Sequence, residues 1–312
     1  MREELPMMNG AGRVVLIFAF IAGLLLPNAA RGAWESRAPL PAGRSALAMV
    51  ALNGTLYAIG GTIRIGPVPV VGMYNPSEDS WAESTPLSDP RSQLAAAVVK
   101  DKIYAVGGST KAGPVATLEV FDPASNRWSK KASMPTARTA AAAVVVNNKI
   151  FVIGGSTESG AALKTVEVYD PDTDAWAPKA PMPTARAFLV AGVVNNKIYA
   201  IGGYSGKGEL GSVELYDPST DSWSQKAPMS ISRDSLAAVV LNNKIYAIGG
   251  FSGKVQANEV EVYDPAANSW KLLTPMNVAR SSLGAVVLNN VIYAVGGESG
   301  GGPLDTVEAL KP

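Results

Sequence analysis

Residues 147–171 read NNKIFVIGGSTESGAALKTVEVYDP, in which two short apolar runs are separated by a Gly pair and a polar loop. Asn tolerates positive φ, so Asn147-Asn148 predicts a tight turn between two strands. The turn leads into a strand over Lys149–Ile153, which ends at the Gly pair. Thr165–Tyr169 alternates between apolar and polar residues, which is typical of a strand with two different faces.

Two further strands flank this stretch and complete a unit of four. The apolar run Ala140–Val146 precedes it, and a turn at Asp170-Pro171 leads to a strand that carries Trp176. We name these strands a, b, c and d in chain order. No helical period occurs after residue 32, so the sequence predicts an all-β fold made of short antiparallel strands.

The unit is repeated six times, at steps of 47 or 48 residues. Each copy carries a Gly pair after strand b and an aromatic residue three positions before that pair. A Trp in strand d and an Arg before strand a follow the same period, and we expect the aromatic sets to fill the core between units. Four-stranded sheets repeated around an axis predict a β-propeller. The Gly pairs begin at Gly60, Gly107, Gly154, Gly202, Gly249 and Gly296.

The repeated residues resemble the kelch-repeat family. The resemblance lies in IYAVGG at Ile103–Gly108, VEVYDP at Val166–Pro171 and the Trp seven residues after that Tyr, and it covers Ala33–Pro312. It implies a six-bladed β-propeller. Kelch propellers are mainly protein-interaction scaffolds, and a minority are enzymes, including copper oxidases of the galactose-oxidase type and a periplasmic sialic-acid mutarotase.

The two ends of the repeat predict how the ring closes. The last unit stops at Val307–Pro312, which aligns with strand c, whereas Trp34–Leu40 is a strand d that precedes the first full unit. We expect this N-terminal strand to complete the last of six four-stranded blades. The propeller then occupies residues 33–312 as one domain.

The composition excludes several classes of chemistry. Among 312 residues there is no Cys and no His, so thiolate nucleophiles, disulfides, catalytic triads with His and His-ligated metals are excluded. Among the relatives, this tells against the copper oxidases, whose ligands include His and a Cys-crosslinked Tyr. We expect no cofactor and no metal. The net charge of +1 lacks the excess of basic residues that is typical of a nucleic-acid-binding protein.

The first residues have the pattern of a secretory signal. Val14–Leu26 is an uncharged apolar run, Arg13 precedes it, and Ala30 and Gly32 place small residues where a signal peptidase reads them. We therefore expect residues 1–32 to be a cleaved signal peptide, with an uncleaved anchor as the alternative. The mature chain would be secreted or periplasmic, and the lack of Cys favours a bacterial source. We expect it to be monomeric and without a membrane span.

The repeated arginines allow two interpretations. They could form buried pairs with the strand-c glutamates, which the first unit would lack because Gly72 stands there. Alternatively, their guanidinium groups could converge near the axis to hold an acidic ligand; in kelch interaction domains, an Arg that opens strand a can contact an acidic peptide. The six are Arg44, Arg91, Arg138, Arg186, Arg233 and Arg280.

A ligand site is expected on the face that carries the d–a and b–c loops, because the units differ from one another there. The a–b and c–d turns lie on the opposite face and are short and nearly identical, which predicts solvated hairpins. The positions after the arginines diverge at Gln93 and Phe188, and Tyr204 and Phe251 could form an aromatic wall beside Arg233. Alternatively, these loops differ only because their sequences have diverged without any functional constraint. The candidate ligand-binding residues outside the arginine set are Arg64, Asp234, Glu298, Tyr204 and Phe251.

Two classes of function remain open. The first is a binding module for a protein, peptide or glycan. This ligand would be anionic if the arginines form the site. The second is a carbohydrate epimerase or mutarotase of the periplasmic sialic-acid type, in which Arg would hold a carboxylate while Asp234 or Glu298 moved a proton. The lack of a catalytic constellation favours binding, and no catalytic residue is assigned. A sensory or structural ectodomain would differ from the first class only in its partner.

Overall fold

The structure is a computed structural model that describes residues 32–312. Its backbone is all-β, and residues 32–312 contain no helix; accordingly, no helix in this range is long and apolar enough to cross a membrane. The predicted signal peptide, residues 1–32, lies outside the described residues apart from Gly32, so its cleavage stays a prediction. Six four-stranded antiparallel sheets confirm the six-bladed β-propeller.

The blades follow the repeat, and each contains strands a, b, c and d in that order. Blade 1 consists of β2 (Ala48–Leu52), β3 (Thr55–Ile59), β6 (Val71–Asn75) and β7 (Ser80–Ser84). Blade 2 consists of β8 (Ala95–Val99), β9 (Lys102–Val106), β12 (Leu118–Asp122) and β13 (Arg127–Lys131). Blade 3 consists of β14 (Ala142–Val146), β15 (Lys149–Ile153), β16 (Val166–Asp170) and β17 (Ala175–Lys179).

The other three blades have the same order. Blade 4 consists of β18 (Val190–Val194), β19 (Lys197–Ile201), β20 (Val213–Asp217) and β21 (Ser222–Lys226). Blade 5 consists of β22 (Ala237–Leu241), β23 (Lys244–Ile248), β24 (Val260–Asp264) and β25 (Ser269–Leu272). Blade 6 consists of β26 (Gly284–Leu288), β27 (Val291–Val295), β30 (Val307–Leu310) and β1 (Trp34–Arg37). Three b–c loops add two-residue hairpins: β4 (Thr62–Ile63) with β5 (Gly66–Pro67), β10 (Ser109–Thr110) with β11 (Gly113–Pro114), and β28 (Glu298–Ser299) with β29 (Gly302–Pro303).

The ring closes as expected. Trp34–Arg37 forms the outer strand of blade 6, and it pairs antiparallel with Val307–Leu310 in the register Trp34↔Leu310. Each strand a contacts the strand a of both neighbouring blades, including blades 6 and 1. The two ends of the propeller therefore meet in one β-ladder.

Aromatic residues fill the space between blades, which confirms the predicted role of these periodic positions. Tyr104 of strand b in blade 2 packs against Tyr169 of strand c in blade 3, with ring centroids 6.0 Å apart. Tyr169 in turn packs against Trp176 of its own blade at 5.1 Å. The indole N–H of Trp176 donates to the backbone carbonyl of Ala132 in blade 2 at 2.7 Å. The Trp hydrogen bond recurs at all six seams, and the ring pair between blades recurs at five; between blades 5 and 6, Leu310 stands in place of the strand-c Tyr.

The Gly pair after strand b is required by close approach of the next blade. Gly154 has φ +63°, and a Cβ atom there would stand 2.5 Å from the carbonyl oxygen of Arg186. Gly155 has φ +100°, and its N–H donates to that same carbonyl oxygen at 2.8 Å. Only glycine combines this conformation with this contact at low cost.

Strand a of blade 3 begins at Ala142, two residues later than the predicted start at Ala140. Ala140 instead has φ +54°, a left-handed conformation that is unfavourable for a residue with a Cβ atom. The five equivalent residues share it, and the N–H of each donates to the carbonyl of its equivalent in the preceding blade at 2.7 to 3.0 Å. These six hydrogen bonds form a closed backbone ring around the axis, through Ala46, Gln93, Ala140, Phe188, Ser235 and Ser282.

Candidate functional site

The six repeated arginines are buried inside the blades. Their guanidinium groups bond backbone carbonyls at the two ends of the b–c loop of their own blade. In blade 5, for example, Arg233 donates through Nη1 to the carbonyls of Gly249 at 2.7 Å and Glu259 at 3.0 Å. In five blades, Nη2 also contacts the strand-c glutamate. These pairs are Arg91–Glu119, Arg138–Glu167, Arg186–Glu214, Arg233–Glu261 and Arg280–Glu308.

These contacts correspond to the first of the two predicted interpretations of the arginines. The five paired arginines are 0% exposed, and burial lowers the pKa of each while its glutamate acts in the opposite direction. A ligand would have to displace a buried carboxylate to reach them. A ligand role for the five therefore stays a prediction without support from the geometry.

Arg44 in blade 1 has no glutamate, as the sequence predicted from Gly72. It is 3% exposed and bonds the carbonyls of Ala58, Gly60 and Val70 at 3.1 to 3.3 Å. Burial lowers the pKa of Arg44 to about 10. A Cβ atom at position 72 would stand 3.1 Å from Nη2 of Arg44 and 3.2 Å from the Trp81 ring, so a larger residue there would press on both side chains.

A shallow depression lies at the centre of the face that carries the d–a and b–c loops. Its volume is about 90 Å³. The residues of the closed backbone ring surround it. Five blades contribute small or polar side chains to this ring, and blade 4 contributes Phe188.

Blades 4 and 5 carry three aromatic residues on this face, and one of them, Phe188, lines the depression. Ala187 exchanges two backbone hydrogen bonds with Tyr204, and Asp234 exchanges two with Phe251, at 2.7 to 3.0 Å. The N–H of Ser235 in blade 5 donates to the carbonyl of Phe188 in blade 4 at 3.0 Å, and this bond joins the two pairs. We call this group the aromatic corner; it consists of Phe188, Tyr204, Asp234 and Phe251, all of which are half-buried.

The aromatic corner carries negative charge. Burial raises the pKa of Asp234 and Glu209 raises it further, while a hydrogen bond from Ser235 acts in the opposite direction. Glu209 belongs to the b–c loop of blade 4, and its carboxylate lies against Gly253 of blade 5. Within residues 32–312, neither Asp234 nor Glu209 forms an ion pair, and no group of three acidic residues placed to hold a metal ion is found there.

Glu209 is not among the residues predicted from the sequence, because within the b–c loops that prediction compares the first residues and, in blade 1 alone, the residues that follow. Comparing whole loops would have found this acidic residue, which no other unit carries at the same offset from its Gly pair.

A family model described as the KLHDC2/KLHL20/DRC7 Kelch-repeats domain matches residues 28–177 and 93–297. The chain belongs to the kelch-repeat family. No curated protein matches it. A solved structure, "Structure of YjhT", resembles this kelch propeller with a TM-score of 0.75. The resemblance covers 86% of this chain and 96% of that one at 18% identity, and therefore shows the fold alone.

The other two predicted site residues lie on different blades of the kelch propeller. Arg64 is exposed in the b–c loop of blade 1, and its Nη2 donates to the carbonyl of Gly301 in blade 6 at 2.6 Å. Glu298 is exposed at the start of the b–c loop of blade 6, where its backbone pairs with Ser281. The backbone of Asp234 thus pairs with that of Phe251 in blade 5, and Tyr204 takes the equivalent place in the adjacent blade 4, while Arg64 and Glu298 lie on blades 1 and 6. A ligand role for these residues stays a prediction.

Proposed function

We propose that this kelch propeller is a binding module that holds a protein or peptide segment at the aromatic corner. The observation that supports it is the concentration of three aromatic side chains on two adjacent blades, on the face where the blades differ. Aromatic residues are enriched in the cores of protein interfaces. Val255, which is 62% exposed in the b–c loop of blade 5, adds apolar surface beside Phe251. Ile65 in blade 1, 85% exposed, is a second apolar loop tip on this face.

The charge of the corner favours a neutral or basic partner. The expectation of an anionic ligand depended on the arginines, and five of these are neutralised by glutamates inside the blades. At the corner itself, Asp234 and Glu209 stand without ion-pair partners in the described part of the chain. A carboxylate placed next to these two carboxylates is repelled, because charges interact strongly where water is partly excluded.

The test is a double variant, Phe188→Ala with Phe251→Ala, of a protein whose binding peptides have been selected from a random library. Truncation of central aromatic residues costs an interface about 2 kcal/mol or more. We therefore expect peptide affinity, measured by calorimetry, to fall by at least about tenfold, with little change in melting temperature because both rings are only half-buried.

The matched control is Gln93→Ala, which truncates the same position of the backbone ring on blade 2. It should leave peptide affinity unchanged. Equal losses in Gln93→Ala and in the double variant would contradict a site at the aromatic corner, and a library that yields no peptide would contradict the binding module itself.

An epimerase or mutarotase is the second candidate function, and one observation favours it. Asp234 is half-buried with a raised pKa, which suits a group that moves a proton. The arginine that should hold the substrate carboxylate is not available at the corner, since Arg233 is engaged by Glu261. If the chain is such an enzyme, anomer interconversion of an acidic sugar should be detectable by NMR and should be lost in Asp234→Asn. An inactive parent protein ends this alternative.

A further inference from the structure

The opposite face of the propeller carries a cleft between blades 2 and 3. Its volume is about 620 Å³, which lies within the range of small-ligand sites. It is bounded by the a–b turn of blade 2, by the c–d turns of blades 2 and 3, and by the strand d face of blade 2. The sequence predicted only solvated hairpins on this side.

Blade 2 departs from its sister blades at this cleft. Its a–b turn is Lys100-Asp101, whereas blades 3 to 6 have Asn-Asn and blade 1 has Asn-Gly. Its strand d begins with Arg127, where blades 1, 4 and 5 have Ser and blade 3 has Ala. The turn thus gains one cation and one anion, Lys100 and Asp101, while strand d gains the cation Arg127 at a position that is uncharged in the other complete blades. Repetition of the scaffold accounts for neither change.

Arg127 shares a sheet face with a second cation, Lys131. Arg127, Ser129 and Lys131 alternate along strand d, opposite Asp122, Val120 and Leu118 of strand c. Residues two apart on a strand point to the same side, so the three form a row of cation, hydroxyl and cation. The two ends of the row are about 13 Å apart at the Cα atoms.

Half of the cationic side chains that line the cleft are not neutralised by acids. Lys102 pairs with Asp122 at 2.7 Å and Lys100 pairs with Asp172. Arg127 and Lys131 have no carboxylate oxygen within 4.0 Å anywhere in residues 32–312.

Asp174 is the acid on which Lys131 acts, since Lys131 helps to lower its pKa. Its carboxylate is already held by the N–H of Ala132 at 3.0 Å and by the hydroxyl of Tyr169 at 2.7 Å. Arg127 and Lys131 therefore remain available to an oxyanion.

We propose that this cleft binds an acidic oligosaccharide that carries sulfate or carboxylate groups. Arg127 and Lys131 would hold two oxyanion groups along strand d, because guanidinium and ammonium groups form strong, charge-assisted hydrogen bonds with them. Ser125 and Ser129 offer hydroxyls to sugar hydroxyls. Tyr104 and Val120 contribute carbon to the wall of the cleft, against which the apolar face of a sugar ring packs.

The experiment compares binding of a sulfated uronic-acid disaccharide with binding of its uncharged counterpart by calorimetry. We expect the sulfated sugar alone to bind, and more weakly as ionic strength rises, because surface charges are screened by salt. Arg127→Ser, which installs the residue of blades 1, 4 and 5, should weaken binding by about tenfold. Lys226→Ser, at the position in blade 4 equivalent to Lys131, is the matched control and should leave binding unchanged.

Four results would overturn the proposal. They are no binding of the sulfated sugar, equal binding of the neutral sugar, complete competition by inorganic sulfate at the same concentration, and tighter binding of a phosphopeptide than of the sugar. An equal loss in Lys226→Ser would show that binding follows net charge and not the cleft. The aromatic corner lies on the other face, so failure here leaves the proposed peptide site untouched.

Discussion

The Glu261→Ala variant is expected to lose about 3–5 kcal/mol of unfolding free energy, because it leaves a buried guanidinium without its counter-charge. Glu261 is 1% exposed and its Oε1 lies 2.9 Å from Nη2 of Arg233, which is 0% exposed. Its other carboxylate oxygen accepts hydrogen bonds from the N–H and the hydroxyl of Ser230 at 2.9 and 2.7 Å. Removing this one side chain therefore takes the acceptor from three donors at once.

The measurement is denaturant unfolding followed by Trp fluorescence, with Lys244→Ala as the control. Lys244 pairs with Asp264 in the same blade at 3.2 Å, but it is 47% exposed. Exposed pairs contribute at most about 1 kcal/mol, so the control should lose little. A Glu261→Ala loss as small as that of the control would contradict a structural role for the buried arginines.

A second variant distinguishes the loss of one charged partner from the loss of the whole ion pair. Arg233→Met with Glu261→Leu removes both charges and keeps apolar volume, which is often near neutral for a buried pair. Two carbonyls, of Gly249 and Glu259, lose their Nη1 donor in this variant. We therefore expect its stability to fall between the wild type and Glu261→Ala.

The repeat itself could be predicted from the sequence, because each periodic residue has the same structural role in every blade. The Trp and Gly periods located all six blades, and strand b of blade 3 was placed at its observed bounds, Lys149–Ile153. The orphan strand at Trp34 predicted the closure. These features depend on turn chemistry and on alternation, which act over a few residues and so leave a mark in the sequence.

The axial ring of hydrogen bonds could not be predicted in the same way. Its residues include Ala140, Phe188 and Ser235, none of which favours a left-handed backbone. They take it because six blades meet there, and a contact between units has no local signature. The direction of the arginine side chains was open for the same reason, since the carbonyls that they bond come from the ends of a long loop.

The site is only partly predictable, because a functional difference between blades shows in the sequence as one or two residues that differ at equivalent positions. Tyr204, Phe251 and Asp234 stand out as departures at matched positions; the structure pairs the backbone of Asp234 with that of Phe251 and puts Tyr204 at the equivalent place of the adjacent blade. Arg127 departs from its equivalents in the same way, but it lies on the opposite face, where short and nearly identical turns predict only solvated hairpins. A search for departures from the repeat on both faces would have found both places.

Trp34→Ala is expected to cost about 3–5 kcal/mol, the usual loss when a buried Trp is truncated. Trp34 is 6% exposed, whereas the five other Trp side chains are half-buried. Its indole N–H donates to the carbonyl of Thr274 in blade 5 at 3.1 Å. It packs with Ile292 and Leu310 of blade 6 in one apolar cluster. This side chain thus joins the terminal strand to two blades at once.

The matched control is Trp176→Ala in blade 3, which removes the same side chain with the same kind of hydrogen bond, to Ala132. Strand d of blade 3 continues directly from strand c of its own blade, while the strand at Trp34 pairs with a strand from the other end of the propeller; within residues 32–312, one backbone bond precedes it, from Gly32 to Lys311 at 3.2 Å. Losing Trp34 therefore releases a whole strand, and losing Trp176 leaves its strand in place. We expect the larger loss of stability for Trp34→Ala.

Hydrogen exchange shows where that loss occurs. Strand c of blade 6, Val307–Leu310, has the terminal strand as its outer partner, so release of that strand exposes its outward amides to water. We expect their protection to fall in Trp34→Ala while the amides of Val166–Asp170 in blade 3 keep theirs. A uniform fall across all blades would mean that the ring unfolds as one unit and that the ladder is no weaker than any other seam. Because stability in repeat proteins is set by contacts between neighbouring units, a local fall would identify the joined ends as the place where this propeller opens first.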